Sequence, residues 1–261
     1  MKEDRILMQS GRHEDDGAEG NMLSLIQAER LKMKHTFGGK LPIVAAVLTL
    51  SLVLLLAYKN KYYSVNAWNW WYVMLLPGML AILCCLGIKK EQKLHYCNLF
   101  SSYISPEQYL VGKICFYAMG LVIANLIVAV GTYAADICWG NYIPIGREFL
   151  AAVVLSVCFL WEIPFFMLLG LRFGIFVSLF SCMVLSIGGT SVLADSDLWW
   201  LCPTAAPVRL MCPVLGIMPN GLLVPADSPL WNMGVIIPGI MICLVWFAVF
   251  TRVLLAAVRP A

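Results

Sequence analysis

Charge is what this chain has least of. Only 13% of its 261 residues are Asp, Glu, Lys or Arg, about half the roughly 25% of a soluble domain. Mean hydropathy is +0.82, which excludes an ordinary water-facing globule. Histidine is scarce too: His13, His35 and His95 are scattered, and no H-E-x-x-H occurs. A zinc site has little to be built from. G-x-S-x-G is missing, and with it the serine-hydrolase elbow. A phosphate-binding G-x-x-x-x-G-K-[ST] is absent as well. Gly38-Gly39-Lys40 lacks the upstream glycine and runs into Leu41, so no nucleotide cofactor is expected on this chain and no ATP hydrolysis by it alone.

Long apolar runs are what is there. Crossing a hydrocarbon core of roughly 30 Å takes about 20 apolar residues as a helix, and barrel strands would alternate instead. Continuous runs at 41–58, 70–88, 110–134, 149–169, 173–194 and 235–258 therefore predict six transmembrane helices. The expected fold is an all-α integral membrane protein in one domain, residues 41–261. Residues 1–21 are polar and aperiodic, a composition that predicts disorder. Residues 22–40 place Met22, Leu25, Ile26 and Met33 on one helical face, with Arg30, Lys32 and Lys34 largely off it. That pattern fits a helix lying in the membrane interface, or a basic flank that only sets orientation. The aromatic stretch YKNKYYSVNAWNWWY fits an interfacial belt on the other side.

An even span count puts both termini on one side. Lys2, Arg5, Arg12, Arg30, Lys32, Lys34, Lys40, Lys89, Lys90, Lys93, Lys113, Arg172, Arg252 and Arg259 share that side, against Lys59, Lys61, Arg147 and Arg209. The bias predicts cytoplasmic termini. It also accounts for the net charge of +3 without a nucleic-acid partner. The polar break KKEQKLHYCNLFSSYISPEQYLVGK then lies in the cytoplasm. Ser105-Pro106-Glu107-Gln108 has the form of a helix start, Ser at the N-cap, Pro in the first turn and Gln at the capping-box position. A compact docking segment of about 89–104 remains, with LHYCNLF apolar enough for a short surface helix.

Glu162 sits deep in the fourth run beside Pro164. An intramembrane carboxylate next to a helix-bending proline can serve as a hinge or interhelical hydrogen bond, as part of a translocation path, or as a proton relay. Residues 195–231 are apolar yet carry Pro203, Pro207, Pro213, Pro219 and Pro225. Short re-entrant or outer helices are expected there, forming a gate or a plain lid. Cys84, Cys85, Cys115, Cys158, Cys182 and Cys243 lie in the runs and read as small packing residues. Cys202 and Cys212 flank one loop segment and could be bridged in an oxidising exterior.

With these motifs on the page the chain resembles the permease subunits of type-2 ABC exporters, in their lantibiotic-immunity and peptide-antibiotic resistance branch. Residues 22–34 resemble that branch's interface helix. Lys89-Lys90-Glu91-Gln92-Lys93 with Ser105-Pro106 and Gly112-Lys113 look like its loop between the second and third spans. Ile217-Met218-Pro219-Asn220-Gly221-Leu222 resembles its outer P-N-G segment and is the most specific match. The resemblance implies a six-helix subunit in a bacterial plasma membrane. It pairs with a second, usually non-identical permease and with two copies of a separate ATPase that carries ATP and Mg, and it expels a cationic antimicrobial peptide. It also implies that 89–105 is the coupling loop, acting through Lys89, Lys90, Glu91, Lys93, Leu94, Leu99, Phe100, Ser105 and Pro106, and that Pro219, Asn220 and Gly221 belong to an outer gate. Two other classes stand beside it: a subunit that sequesters or senses peptide without transport, and an ion-coupled carrier using Glu162.

Overall fold

A computed structural model of the protein describes residues 23–56, 62–93, 105–139, 143–194, 196 and 198–258, and every regular element in them is helical. The expected extension 1–21, Met22, and the loop residues Leu94, Leu99 and Phe100 lie outside the described residues.

Helix α1 covers residues 23–33 and turns sharply into α2, Phe37–Leu56. Gly39 makes that corner possible: a Cβ there would lie 2.2 Å from the Met33 carbonyl oxygen. The Gly38-Gly39 pair is thus a tight bend rather than an anion cradle. Next, α3, Tyr63–Trp70, passes through a π-turn, Trp71–Leu75, into α4, Leu76–Lys93. Pro77 explains the π-turn, since it has no N–H to return to the carbonyl of Val73, and Leu76 N–H reaches back to Trp71 instead. Helix α5, Pro106–Trp139, has 34 residues, about 51 Å at 1.5 Å per residue, longer than the roughly 30 Å of a hydrocarbon core. The expected cap is present: the Ser105 Oγ accepts from Gln108 N–H at 3.2 Å.

Helix α6, Ile145–Cys158, and α7, Glu162–Arg172, are bent by 42° where they meet. Then come α8, Gly174–Gly188, a π-turn, Gly189–Leu193, the buried α9, Ala205–Leu215, and α10, Ile236–Val258. Helix α4 is central, packed by α2, α7 and α8; α5 lies against α2, α3 and α6; α9 wedges between α6 and α10.

By length and composition four helices can cross a membrane, or five if the bent α6–α7 pair is one span. Six spans are not reached. In the run 173–194 a 15-residue α-helix, Gly174–Gly188, with about 22 Å of rise, passes directly into the π-turn Gly189–Leu193, so the run is helical but its α-helical part alone is short for a span. The second run is longer than expected, a rod from Tyr63 to Gln92. Its aromatics are not an exposed belt: Tyr63, Trp68, Trp71 and Tyr72 are buried against the core. Exposed Phe176, Phe180, Ile187, Leu55 and Ile237 clothe the outside in apolar side chains, as lipid-facing helices require.

Segment 195–231 holds no spanning helix among the described residues. It is built of a 3₁₀ turn, Trp199–Leu201, the buried α9, a turn closed by an Ile217–Leu223 bridge, and a second 3₁₀ turn, Pro229–Trp231. Helix α9 ends on Gly216 at φ 73°, where Trp231 covers the backbone so closely that a Cβ would sit 2.8 Å from its ring.

Candidate functional site: a buried charge cluster at the basic end

Leu25, Glu29 and Met33 recur every four residues along α1, and all three are buried. A carboxylate in the middle of an apolar helical face needs a cation, and it finds two. Glu29 Oε2 meets Lys113 Nζ at 2.9 Å, and Glu29 Oε1 meets Lys32 Nζ at 3.1 Å. Both ammoniums also reach Glu91 Oε1, each at 3.4 Å. Lys113, in α5, is 1% exposed, and Glu29 and Glu91 are 2% exposed. Two acids and two bases cancel, so the cluster is formally neutral, with three members buried and Lys32 reaching partly into solvent. Breaking such a set by removing one partner costs about 3–5 kcal/mol, because the remaining charge is left buried.

Tyr109 completes the ring. Its hydroxyl accepts from Lys32 at 2.8 Å and donates to Glu29 at 3.0 Å, and its face lies 4.7 Å from the Lys32 ammonium. Tyr117, one turn beyond Lys113, points its hydroxyl at Gly87, where a Cβ would come 1.6 Å from the phenol oxygen. Lys90 donates to the carbonyl of Lys32. Burial alone would push the Glu29 carboxyl up, but the Lys113 and Lys32 ammoniums outweigh it and hold the group below the ordinary glutamate range. The net result is one polar joint binding α1 to the end of α4 and the start of α5, the two helices on either side of 94–104.

This geometry divides the residues expected to couple with a partner. Glu91 faces inward in the joint, and Lys90 is half-buried on α1. Lys89 and Gln92 are exposed, with Gln92 Nε2 donating to the Leu171 carbonyl at the end of α7 at 3.4 Å. Ser105 caps α5 and Pro106 is its first residue. Lys93 ends α4.

Glu162 stands at the bend between α6 and α7, in the first turn of α7, and is buried with Oε2 lacking a hydrogen-bond partner among the described residues. Pro164 lies in that same first turn. It opens a helix instead of interrupting one, in a position where its missing N–H has no helical partner to lose. The P-N-G segment forms a tight turn: Gly221 has φ 81°, Asn220 Oδ1 accepts from Leu222 N–H at 3.0 Å, and Gly221 approaches the amide of Asn69 in α3. The turn thereby meets α3 through Gly221. Cys202 and Cys212 are not bonded. Cys202 contacts Thr204 Oγ1 at 3.0 Å, ahead of α9, while Cys212 lies in its last turn and bonds to the Val208 carbonyl. The helix between them separates the pair by more than the roughly 7 Å that a disulfide can bridge.

Two polar groups escaped the sequence reading. In mid-bundle, Trp71 Nε1 donates to Asn125 Oδ1 at 2.8 Å, and Asn125 Nδ2 donates to Ser156 Oγ at 2.9 Å, joining the π-turn to α5 and α6. At the far end Asp136 is buried against Ser64, and Glu148 is wholly buried. Neither acid is available to attract a ligand from solvent. Asp227 is exposed. The clue for Glu29 was present in its four-residue spacing from Leu25 and Met33; no local pattern marks Asn125 or Glu148. Among the described residues no group of three His, Cys, Asp or Glu side chains converges on a metal position.

Compared with family models, curated proteins and solved structures, the chain matches none.

Proposed function

We propose that this chain is the membrane subunit of an ATP-driven exporter of the ABC type, one that removes antimicrobial peptides of the lantibiotic kind from a bacterial plasma membrane and so confers immunity or resistance. The observation that carries the reading is the buried joint of Glu29, Lys32, Glu91, Tyr109 and Lys113. A force applied to 94–104 reaches α4 and α5 together. Because α1 is tied to both by desolvated ion pairs, the three elements move as a block. A subunit without a phosphate loop of its own needs such a path for work done elsewhere. In this reading the basic end is cytoplasmic, two copies of an ATPase subunit dock on 89–105, a second permease completes the pathway, and the bend at Glu162 lets α6 and α7 change angle.

Resistance is the direct test. Cells expressing the chain with its ATPase should survive a cationic antimicrobial peptide. Lys89→Glu with Gln92→Glu should lower survival toward that of cells lacking the chain, with insertion unchanged. Survival that persists when the ATPase cannot hydrolyse ATP would instead identify a sequestering or sensory subunit. The ion-coupled alternative draws on Glu162, a buried carboxyl with an unpartnered oxygen. It predicts peptide flux in proteoliposomes driven by a proton gradient with no ATPase present.

A further inference from the structure

The cations of α1 have two fates. Lys32 turns inward to Glu29 and Glu91, whereas Arg30 and Lys34, one turn apart, are exposed and make no ion pair among the described residues. They stand over a cavity of about 490 Å³ whose walls are Pro42 and Ile43 of α2 and Met119, Gly120 and Ile123 of α5. Ile123 also lines a second cavity of about 460 Å³ that continues along the same two helices past Leu50 and Ile127 to Gly131. Together they form one crease. Its floor is set by close helix contact, since a Cβ on Gly120 would meet Pro42 at 3.1 Å and one on Gly131 would meet Leu50 at 2.3 Å.

From Phe116 to Gly131 the crease runs about 22 Å along α5, longer than the roughly 15 Å of one leaflet's hydrocarbon half. Among the described residues its positive charge is unpaired at one end, the end that also bears exposed Lys40, and it is apolar along the rest. The exposed Met119 and Ile123 keep it open to the side.

We propose that the crease between α2 and α5 holds one anionic phospholipid, its phosphate on Arg30 and Lys34 and an acyl chain lying past Pro42, Gly120 and Ile123 toward Gly131. A zwitterionic lipid would fill the apolar part equally well but would bring its own ammonium against two unpaired cations. A second copy of the chain would have to bring an acid to Arg30 and Lys34. The site requires that the chain lie in a membrane and does not depend on the transport reading. A lipid seated there would touch α1, α2 and α5 at once, bracing from outside the block that the buried joint braces from inside.

The test is native mass spectrometry of the full chain, purified in detergent and equilibrated with equimolar phosphatidylglycerol and phosphatidylcholine. Wild type should retain one phosphatidylglycerol with a preference of roughly tenfold or more, the worth of one to two surface cations. Arg30→Gln with Lys34→Gln should bring the preference close to parity. Ile123→Trp should lose retained lipid of both kinds, since the indole fills the crease from an exposed position. Arg172→Gln with Arg252→Gln, which removes two exposed cations from other helices, should leave the preference intact and shows that net charge is not the cause. Equal retention of the two lipids by wild type would overturn the proposal, as would a preference that survives loss of Arg30 and Lys34 or retention unaffected by Ile123→Trp. So would cross-linking of two chains through Ile123→Cys with no lipid retained, which would make the crease an interface between copies.

Discussion

The two ends of the bundle both bury carboxylates, and they treat them oppositely. At the basic end Glu29 and Glu91 face Lys32 and Lys113 at 2.9 to 3.4 Å. At the far end Asp136 and Glu148 are as deeply buried but have no ion-pair partner among the described residues: Asp136 meets the Ser64 hydroxyl, Glu148 lies by the Thr132 hydroxyl and the Trp68 indole, and the nearby Arg147 lies over the Trp231 ring, 5.5 Å from its centroid. A buried charge is tolerated where it is paired and otherwise is a burden on the fold. The basic end is therefore a structural joint whose members depend on one another, while the far end holds acids whose replacement by neutral side chains has little to lose.

Removing one cation from the joint should produce the largest effect. Lys113→Met leaves Glu29 and Glu91 short of a partner and should destabilise by about 3–5 kcal/mol, visible as a lower thermal midpoint and faster hydrogen exchange in α1. Adding Glu29→Gln should return part of that loss, because the two residues share one interaction. Additive losses would mean that they do not. Next in size is Gly87→Ala, which drives a methyl into Tyr117 and should cost about 1–3 kcal/mol. Tyr117→Phe should relieve part of it, and an unchanged midpoint would show that the ring can move aside.

Acid should act more gently and at one end. Glu29 is held below its ordinary value in the fold, so its contribution is fully present above the unfolded carboxyl range, near pH 4.3, and is lost as pH falls through the lower folded value. The difference in thermal midpoint between wild type and Glu29→Gln should hold at neutral pH and shrink only below about pH 4. A difference that shrinks on raising the pH instead would contradict the assigned direction. The smallest effect is expected from Glu148→Gln, which should leave the thermal midpoint unchanged or raise it. A loss comparable to that of Lys113→Met would reveal a cation against Glu148, and the contrast between the ends would fail.

Much of the architecture was legible because it is written in neighbouring residues. Apolar runs of 20 residues need helices in a membrane, Ser105 ahead of Pro106 caps one, and five prolines keep 195–231 from spanning. The errors came where a local pattern has two three-dimensional outcomes. Hydropathy read 173–194 as one span, and the run is helical, but it does not register that the α-helix gives way to a π-turn at Gly189. Aromatics at 62–72 fit an interfacial belt equally well as a core, and only packing against α5 buried Trp68 and Trp71. Cys202 and Cys212 are close in sequence, but the helix between them holds them apart.

The candidate site was legible only in part. Lys89, Glu91 and Ser105 stood out as a polar island between apolar runs, yet which of them face a partner and which face inward depends on α1, whose Glu29 is 84 residues from Lys113. By itself the sequence determined an all-helical chain rich in membrane-length helices, with a basic end and no nucleotide motif of its own, because hydropathy, charge bias and caps act through residues a few positions apart. The tertiary structure decided which charges are paired and buried and which, among the described residues, stand without an ion pair over the α2–α5 crease, because desolvation and ion pairing depend on which distant helices come within a few ångströms of each other.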